Sequence, residues 1–397
     1  MPARPQVDLG SATCVLLLLG TQSMAVAASD PAAVPVHPEA FRHANDPDDT
    51  QSINQALTNG ERVQLAAGKK YYICSPLVLH SGQEFFGGAG TWIVACPNWY
   101  AINGSSPPHK KLIRNEHWDA VSIADSGLSV HDIGIDGSNL PAAVNGMIHG
   151  IGIRKSRDIV VYNIACERIG DCTAFQADED YIVRDSLATG VTNAGFDNWE
   201  GPRNGTVRHT RTYCAKGGTG VMFTGASTDL KATSGSNLTS EGNEVYGPCT
   251  AAIMFNNLSF GSSLRNIRSI DDRVDAQATG SYGIVIQGDV VAGEVINAIV
   301  SNTSTGQAIS IRPERYPTGV ATPSKIEVTG AVLTNDSTSS ENVAPVTVFG
   351  SDNRIVNIRL HGGRYDYAIQ TNDRLLHADG SIDPGTRGAI KIQPDPK

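Results

Sequence analysis

The stretch Gly150-Ile151-Gly152-Ile153 has the form small residue, apolar residue, any residue, apolar residue. This alternation with a period of two is typical of a β-strand. A similar form recurs downstream, in units that begin 21 to 37 residues apart: Ala174-Phe175-Gln176-Ala177, Gly195-Phe196-Asp197-Asn198, Gly220-Val221-Met222-Phe223, Ala252-Ile253-Met254-Phe255, Gly283-Ile284-Val285-Ile286, Ala308-Ile309-Ser310-Ile311 and Pro345-Val346-Thr347-Val348. A strand repeated at this spacing predicts a solenoid whose coils bury their apolar side chains by stacking. We expect an all-β chain forming a single right-handed parallel β-helix, the hand following the rule for parallel crossovers.

The composition supports a folded chain and restricts its partners. Of 397 residues, 40% are hydrophobic and 41 are Gly, which excludes a disordered polymer and favours many tight turns. The 40 acidic residues outnumber the 31 Lys and Arg, giving a net charge of -9. This balance argues against nucleic acid and anionic membranes as partners. A neutral polymer fits more easily, and a polyanion would need a local arginine cluster.

The N-terminus predicts export. Residues 1–28 combine Arg4, the apolar run Cys14 to Leu19 and the small residues Ala25 to Ala28, as in a signal peptide. The alternative is a short membrane anchor, but the apolar run is well below the roughly 20 residues that span a bilayer. We therefore expect a secreted protein, extracellular or periplasmic, with residues 29–397 forming the β-helix domain.

Six cysteines remain after the leader, an even number that suits an oxidising compartment. Six cysteines allow 15 pairings, and the sequence does not choose among them. We expect near neighbours along the chain to pair, which gives the disulfides Cys74–Cys96, Cys166–Cys172 and Cys214–Cys249.

The open ends of a solenoid need covering, because an uncapped coil exposes core and strand edge. Residues 45–60 predict a capping helix in which Asp49 or Thr50 accepts hydrogen bonds from the first backbone amides and Gly60 ends the helix. Its apolar face would consist of Ile53, Ala56 and Leu57. At the other end, residues from about 370 to 397 would form a C-terminal tail or cap.

The segment around this helix resembles the N-terminal part of pectate-lyase-superfamily β-helix proteins. The similarity covers about 45 residues and rests on Asp48-Asp49-Thr50, Val63-Gln64-Leu65-Ala66-Ala67-Gly68 and Phe86-Gly87-Gly88-Ala89-Gly90. The superfamily has an acidic pair and a short helix before a V-x-L-P-A-G strand, and Ala66 replaces the usual Pro. The resemblance implies a pectin-lyase-like β-helix that is carbohydrate-active. Its members include lyases, hydrolases, epimerases and phage tailspikes, so the activity must be argued from the site.

Two activity elements of the superfamily have partial counterparts. Ala194-Gly195-Phe196-Asp197-Asn198-Trp199-Glu200 is similar to the Y-G-F-D-P-H-E element of alginate C5-epimerases, but Ala194 and Trp199 occupy the positions of the Tyr and the His. Ile148-His149-Gly150 resembles only the G-H-G element of polygalacturonase-type hydrolases, and it lies out of order. The similarity therefore leaves the subfamily open.

The repeat register predicts which side chains share a surface, because equivalent positions of successive coils stack roughly 4.8 Å apart. One outward column is expected to contain Arg154, Asp178, Trp199, Thr224, Asn256, Gln287 and Arg312. The adjacent column would contain Gly152, Gln176, Asp197, Met222, Met254, Val285 and Ser310. Asp178 and Asp197 would then be diagonal neighbours roughly 8 Å apart at Cα, which suits paired carboxylates in a glycosidase.

We accordingly predict Asp178 and Asp197 as the acid and the base or nucleophile, with Glu179, Glu200 and His149 as alternates. The predicted substrate-binding side chains lie along the same columns or in the loop after Trp199, whose indole would stack on a sugar ring. They are Arg154, Gln176, Trp199, Arg203, Asn256 and Arg312. The alternative for Asp178-Glu179-Asp180 is a solvated acidic turn between strands. The alternative for Trp199 is a core or turn position. A residue for which the alternative holds would have no role in the site.

Three functions follow as hypotheses. The first is a glycoside hydrolase without a cofactor, acting on a polysaccharide or oligosaccharide that lies along the β-helix. The second is a polysaccharide lyase or epimerase-like enzyme in which the acidic residues hold Ca²⁺ and an Arg or Lys removes a proton. The third is a glycan-binding solenoid without catalysis. Either a monomer or a homotrimer is compatible with such a fold.

Overall fold

The computed structural model describes residues 34–394, apart from 216, 226–232, 258–260, 277–281, 302, 304–306, 318, 335–344, 363, 366–368, 373–375, 383–386 and 389–391. The predicted signal peptide lies outside the described residues. No helix in the described part of the chain combines the length and the apolarity needed to cross a lipid bilayer.

Helices are few and short. They are α1 (Thr50–Asn59), α2 (Trp99–Asn103) and α3 (Ala142–Asn145), with 3-10 turns at Pro38–Phe41 and Pro107–Lys110. The capping helix is present as α1, and its apolar face is buried at the N-terminal end of the core through Ile53, Ala56 and Leu57. The expected cap acceptor was wrong by one residue: Asp48 Oδ1 accepts the Thr50 amide at 2.7 Å, while Asp49 Oδ2 accepts the Tyr72 amide at 2.8 Å.

Strands make up most of the described chain. The N-terminal coils contain β1 (Arg62–Gln64), β2 (Lys70–Ile73), β3 (Leu77–Leu79), β4 (Glu84–Phe86), β5 (Trp92–Ala95), β6 (Lys111–Asn115), β7 (Asp125–Asp136), β8 (His149–Arg154), β9 (Ser156–Glu167), β10 (Asp171–Gln176), β11 (Glu179–Arg184) and β12 (Leu187–Val191). The central coils contain β13 (Ala194–Trp199), β14 (Arg203–Arg208), β15 (Arg211–Cys214), β16 (Thr219–Thr224), β17 (Gly235–Glu241), β18 (Glu244–Tyr246), β19 (Ala251–Asn256), β20 (Leu264–Ile270), β21 (Arg273–Asp275), β22 (Tyr282–Gln287), β23 (Val290–Ile296) and β24 (Ile299–Ser301). The C-terminal coils contain β25 (Gln307–Arg312), β26 (Glu314–Tyr316), β27 (Gly319–Ala321), β28 (Ser324–Thr329), β29 (Val332–Thr334), β30 (Val346–Val348), β31 (Arg354–His361), β32 (Arg364–Tyr365), β33 (Ile369–Thr371), β34 (His377–Ile382), β35 (Arg387–Gly388) and β36 (Ile392–Pro394).

The strands stack into long parallel sheets. A sheet of 12 strands takes one strand from each coil in the order β3-β6-β8-β10-β13-β16-β19-β22-β25-β30-β33-β36, and we call it the site sheet. A sheet of 20 strands, from β1 to β34, covers the remaining sides of the coils. Among the described residues the paired strands are parallel, except for β26 and β27, which are antiparallel. Each coil advances the chain by one strand spacing, which is the architecture of a parallel β-helix.

The inward rows of the site sheet form the core. One row runs through the register partners Ile151, Thr173, Phe196, Val221, Ile253, Ile284, Ile309 and Val346. All eight are buried, and Thr173 is the one polar member. Because no coil is closed by itself, this core exists only when the coils stack.

The three expected disulfides are present. Cys74–Cys96, Cys166–Cys172 and Cys214–Cys249 have Cα–Cα distances of 5.0, 5.5 and 5.3 Å. Each bridge joins cysteines that lie close along the chain, as predicted, so each one fixes a local connection within the coil stack.

Candidate functional site

The register of the site sheet differs from the predicted one in a single coil. Arg154 pairs with Gln176, and Gln176 with Trp199, so Gln176 and not Asp178 belongs to this outward row, which we call the Trp199 row. In the adjacent outward row, called the Asp197 row, Gly152, Ala174 and Asp197 are partners, so the predicted place of Gln176 there is also wrong. The coil is displaced by two residues because β10 begins at Asp171 and places the polar Thr173 in the core. A shift of two preserves the inward and outward alternation, so the apolar pattern did not show it.

Asp178 does not face outward. It is fully buried just after β10, where its carboxylate accepts the backbone amides of Ser156 at 2.6 Å and Gln176 at 3.0 Å. Burial raises the pKa of this carboxyl well above its ordinary value, while the two amides oppose the rise. The geometry therefore gives Asp178 a structural contact between neighbouring coils, and the expected outward pair of Asp178 and Asp197 is not formed.

Replacing Asp178 by Ala should destabilise the fold. The substitution leaves two backbone amides without their acceptor, at a cost of ~1–3 kcal/mol for each buried group. Chemical denaturation followed by circular dichroism measures the loss in the free energy of unfolding. Glu179→Ala is the matched control, because that side chain lies in a surface ion pair with Arg203 and should change stability little. Equal stability of the two variants would contradict the structural role.

Four side chains that bear acid or base groups form what we call the acid–base cluster. Lys111, His149 and Asp171 begin strands of the site sheet, and Asp197 lies within β13. Lys111 and His149 are register partners on β6 and β8. His149 Nδ1 is hydrogen-bonded to the Asp171 carboxylate, which also accepts the Asn193 side-chain amide at 2.7 Å and the Ala194 backbone amide at 2.6 Å. Lys111 and Asp171 were missed by the sequence analysis, whereas His149 and Asp197 were predicted.

Gly152 lets the Lys111 side chain reach the other members of the cluster. A Cβ atom on Gly152 would lie 2.4 Å from Lys111 Cδ, so the lysine stem runs directly over this glycine. Gly152 is in the Asp197 row, and the lysine charge interacts with both Asp171 and Asp197. Lys111 Nζ also lies 5.5 Å from the centre of the Trp118 ring, a cation–π distance.

Burial changes the proton affinities in the cluster. It lowers the pKa of Lys111 to about 8, against the opposing pull of the two aspartates. Burial raises the pKa of Asp197 well above its ordinary value; Asp171 raises it further, and Lys111 opposes the rise. The pKa of His149 is lowered, first by burial and then by Lys111. The cluster therefore holds a carboxyl with a raised pKa beside an amine with a pKa of about 8.

Asp197 combines deep burial with an incomplete set of hydrogen bonds. Its residue is 5% exposed, and its Oδ1 atom is itself enclosed and has no hydrogen-bond partner among the described residues. Buried carboxyl oxygens are normally satisfied, so this exception points to a functional position that a bound molecule reaches when neighbouring side chains move. Three more such atoms lie close by, at the end of the same strands: Arg154 Nε, Trp199 Nε1 and Glu200 Oε1.

The end of these strands carries further predicted residues. Arg154 donates to the Trp118 carbonyl at 2.7 Å, and its Nε lies 4.0 Å from Glu200 Oε2. Burial raises the pKa of Glu200, while a hydrogen bond from Gln176 and the Arg154 charge oppose the rise. The structure thus brings Arg154, Gln176, Trp199 and Glu200 together beside Asp197.

The remaining predicted residues lie elsewhere. Glu179 and Arg203 are an ion pair at 3.2 Å in the 20-stranded sheet, away from the acid–base cluster. Asn256 and Arg312 do continue the Trp199 row, two and four coils beyond Trp199. Arg312 donates to Gln287 Oε1 at 2.8 and 3.0 Å, so it is fixed within the row.

The acidic residues expected to hold Ca²⁺ do not converge on one point. The Asp178 carboxylate accepts backbone amides, and Glu179 forms an ion pair with Arg203. The Asp180 carboxylate accepts the Asn204 side-chain amide at 2.8 Å. Calcium needs six to eight oxygen ligands around a single centre. This set of carboxylates does not fit the ion.

Comparisons with known proteins concern the fold. No protein-family model and no curated protein matches the sequence. Among solved structures, the chain is similar to a polygalacturonase from Erwinia carotovora, with 15% identity, a TM-score of 0.60, and 92% and 98% of the two chains covered. It is similar to the A-module of an Azotobacter vinelandii mannuronan C-5 epimerase, with 14% identity, a TM-score of 0.57, and 87% and 100% covered. A surface adhesin of Streptococcus pneumoniae matches at 12% identity, a TM-score of 0.53, and 86% and 91% covered.

These likenesses define the class of protein. The chain is a right-handed parallel β-helix with the pectin-lyase-like fold, as the repeat and the N-terminal resemblance predicted. At identities of 12 to 15% the likeness shows the fold and leaves the activity to the site.

Proposed function

We propose that the chain is a secreted carbohydrate-active enzyme that binds a polysaccharide along the site sheet and protonates it with Asp197. The observation that carries this proposal is the Asp197 carboxyl, which is buried in an outward row of the site sheet, has a strongly raised pKa and keeps one oxygen without a partner among the described residues. A raised pKa favours the protonated carboxyl, which is the form of a general acid. The three disulfides support export, because such bonds persist in oxidising compartments.

Glycoside hydrolysis is the reaction that we propose first. It needs a second carboxyl group besides the acid, and Glu200 supplies one three residues along the chain from Asp197. At roughly 3.3 Å per residue, the two Cα atoms lie no more than about 10 Å apart. Side chains on such a pair reach either the ~5 Å separation of retaining enzymes or the ~6.5–9.5 Å separation of inverting enzymes. Some of the structurally similar proteins are named as glycosidases, which agrees with this chemistry.

Proton abstraction from a uronate is the second candidate, and Lys111 is the observation that favours it. A lysine with a pKa of about 8 is partly neutral near physiological pH, so it can act as a base. Arg154 lies at the same surface and offers a positive charge for a substrate carboxylate. In this lyase or epimerase-like reaction Lys111 would take the proton beside the carboxylate, and Asp197 would protonate the leaving oxygen or the opposite face of the sugar.

A screen of neutral and acidic polysaccharides tests the proposal. We expect new reducing ends without ultraviolet absorbance for hydrolysis, and reducing ends together with absorbance from unsaturated sugars for elimination. Proton exchange at the uronate without cleavage would indicate epimerisation. Binding with none of these products would leave the glycan-binding solenoid as the function and overturn the enzyme. A parallel series with EDTA measures any dependence on a metal ion.

Replacing Trp199 by Ala should weaken substrate binding more than turnover. Trp199 stands in the outward row next to Asp197. Pairs of aromatic rings gain roughly 0.5–1.5 kcal/mol beyond the area that they bury, and we expect a similar scale for a sugar ring on the indole. We expect KM to rise by roughly two- to tenfold with kcat nearly unchanged. Tyr213→Ala, which removes an exposed aromatic ring from the other sheet, is the control. A loss in kcat alone would argue against stacking.

A further inference from the structure

A second group of ionisable side chains lies at the N-terminal end of the β-helix, outside the acid–base cluster. It consists of His80, Glu116, His117 and Asp125, and we call it the His–carboxylate cluster. His117 Nδ1 lies 2.8 Å from Asp125 Oδ1 and 3.9 Å from Glu116 Oε2, and His80 Nδ1 lies 2.8 Å from the same Glu116 oxygen. One donor atom from each of Glu116, His117 and Asp125 falls within 4.8 Å of the others.

The coil register builds this group. Leu79 and Asn115 are partners at the ends of β3 and β6, so the next residues, His80 and Glu116, also lie side by side. His117 follows Glu116 directly, and Asp125 begins β7. Four residues from three separate strand ends therefore converge, without belonging to any short motif in the sequence.

Asp125 is held firmly for a ligand. It is 1% exposed, and its Oδ2 accepts the Asn115 side-chain amide at 2.7 Å and the His117 backbone amide at 3.1 Å. Its Oδ1 accepts the Ser81 hydroxyl at 3.0 Å and faces His117 Nδ1. Hydrogen bonds of this kind hold a carboxylate ligand in a fixed orientation in metal sites, so the group needs little rearrangement when the ion binds.

We propose that the His–carboxylate cluster binds a divalent transition-metal ion of the Zn²⁺ class through His80 Nδ1, Glu116, His117 Nδ1 and Asp125 Oδ1. Two imidazoles with two carboxylates are a donor set that suits Zn²⁺, whereas Ca²⁺ and Mg²⁺ prefer oxygen alone. Metal–ligand distances of ~2.0–2.2 Å in a tetrahedral site place ligand atoms about 3.3–3.6 Å apart. The His117 Nδ1 distances to Asp125 Oδ1 and Glu116 Oε2, 2.8 and 3.9 Å, bracket that value. His80 lies outside the group of donor atoms within 4.8 Å of one another and contacts it through Glu116 Oε2, so its side chain must rotate toward the ion.

The proposed ion would lie on the face of the site sheet. Arg114 pairs with Gly152, which aligns Glu116 with Arg154 and places Glu116 in the Trp199 row. Three coils separate Glu116 from Trp199, or about 14 Å at the usual strand spacing. The site shares no residue with the acid–base cluster, although Glu116 is the direct neighbour of Arg154 in the Trp199 row. Its existence does not depend on the proposed reaction.

Metal binding to the purified full-length mature chain tests the inference. The protein is stripped with a chelator, dialysed and titrated with ZnSO₄ by calorimetry, and its Co²⁺ form is examined by absorption spectroscopy. We expect one Zn²⁺ per chain and the intense visible bands of four-coordinate Co²⁺. His117→Asn should weaken binding by more than the roughly 10- to 100-fold typical of losing an outer-shell partner, and Ser81→Ala by about that amount.

His209→Asn is the matched control. His209 faces Asp185 at 3.7 Å with both side chains exposed, and among the described residues this pair belongs to no larger group of possible metal ligands. Its replacement should leave Zn²⁺ binding unchanged. Glu116→Gln, an exposed and nearly isosteric change, repeats the test should His117→Asn fold poorly. A wild-type chain that binds no stoichiometric Zn²⁺, or binds it equally in all variants, would overturn the proposal and leave plain hydrogen-bonded pairs.

Discussion

Asp197→Asn is expected to lower kcat by roughly 10²–10⁴ while the fold stays intact. That range is the usual effect of removing a positioned acid or base, because an amide cannot give up a proton to the leaving oxygen. Asn has nearly the same shape, and the raised pKa of the native carboxyl favours its neutral form, so the exchange introduces little change in buried charge. Single-turnover and steady-state rates on the polysaccharide found by the screen give the loss, and circular dichroism checks the fold.

The activity is also expected to change with pH in one direction. A general acid works only while protonated, so activity should be present below the raised pKa of Asp197 and disappear as the pH rises through it. Glu179→Gln, at an ion pair in the other sheet, should leave both the rate and the pH profile unchanged. Near-normal turnover of Asp197→Asn would show that the reaction takes place elsewhere on the β-helix.

The fold was predictable because the contacts that stabilise it repeat from coil to coil. Each coil repeats an apolar pair that must stack on its neighbours, and the repeat itself is visible in the chain from Gly150 to Val348. The disulfides followed from chain proximity, since a coil returns to nearly the same place within a few tens of residues. Both inferences needed only the pattern, and neither depended on the exact register.

The site depended on that register, and there the pattern was insufficient. A slip of two residues keeps the inward and outward faces, so Ala174 was aligned with Gly150 although it pairs with Gly152. The misplacement moved Asp178 into the predicted pair and removed Gln176 from its row. The polar Thr173 in an inward position is the cause, because hydrophobic alternation identifies core positions by apolar side chains.

Lys111 and Asp171 were missed for a different reason. They begin their strands, where the apolar form of the repeat has not yet started, and Lys111 sits beside Lys110 in what looks like a surface pair. Only the three-dimensional path of the lysine stem over Gly152 brings its charge to Asp171 and Asp197. The alignment of His149 with Lys111 is the signal that would have found them, once the coils were placed in register.

The Lys111→Met variant should show both which reaction the enzyme catalyses and whether Lys111 takes part in it. If Lys111 is the base of an elimination or epimerisation, wild-type activity rises with pH through about 8, and the variant loses roughly 10²–10⁴ in kcat. In hydrolysis the lysine acts on Asp197 through its charge, which holds the pKa of that carboxyl down. Its removal then moves the alkaline limit of activity to higher pH and has a smaller effect on kcat.

Lys111→Arg separates these outcomes further, because arginine keeps the positive charge but stays protonated at any working pH. If the enzyme is a hydrolase, this substitution should leave the alkaline limit of its activity unchanged. If the enzyme is a lyase or epimerase, the substitution should abolish its activity. Thermal unfolding of both variants checks that Asp171, already bound by Asn193 and Ala194, tolerates the change. If neither substitution alters the rate or the pH profile, Lys111 has no part in catalysis, and Asp197 with Glu200 remains as the pair to test.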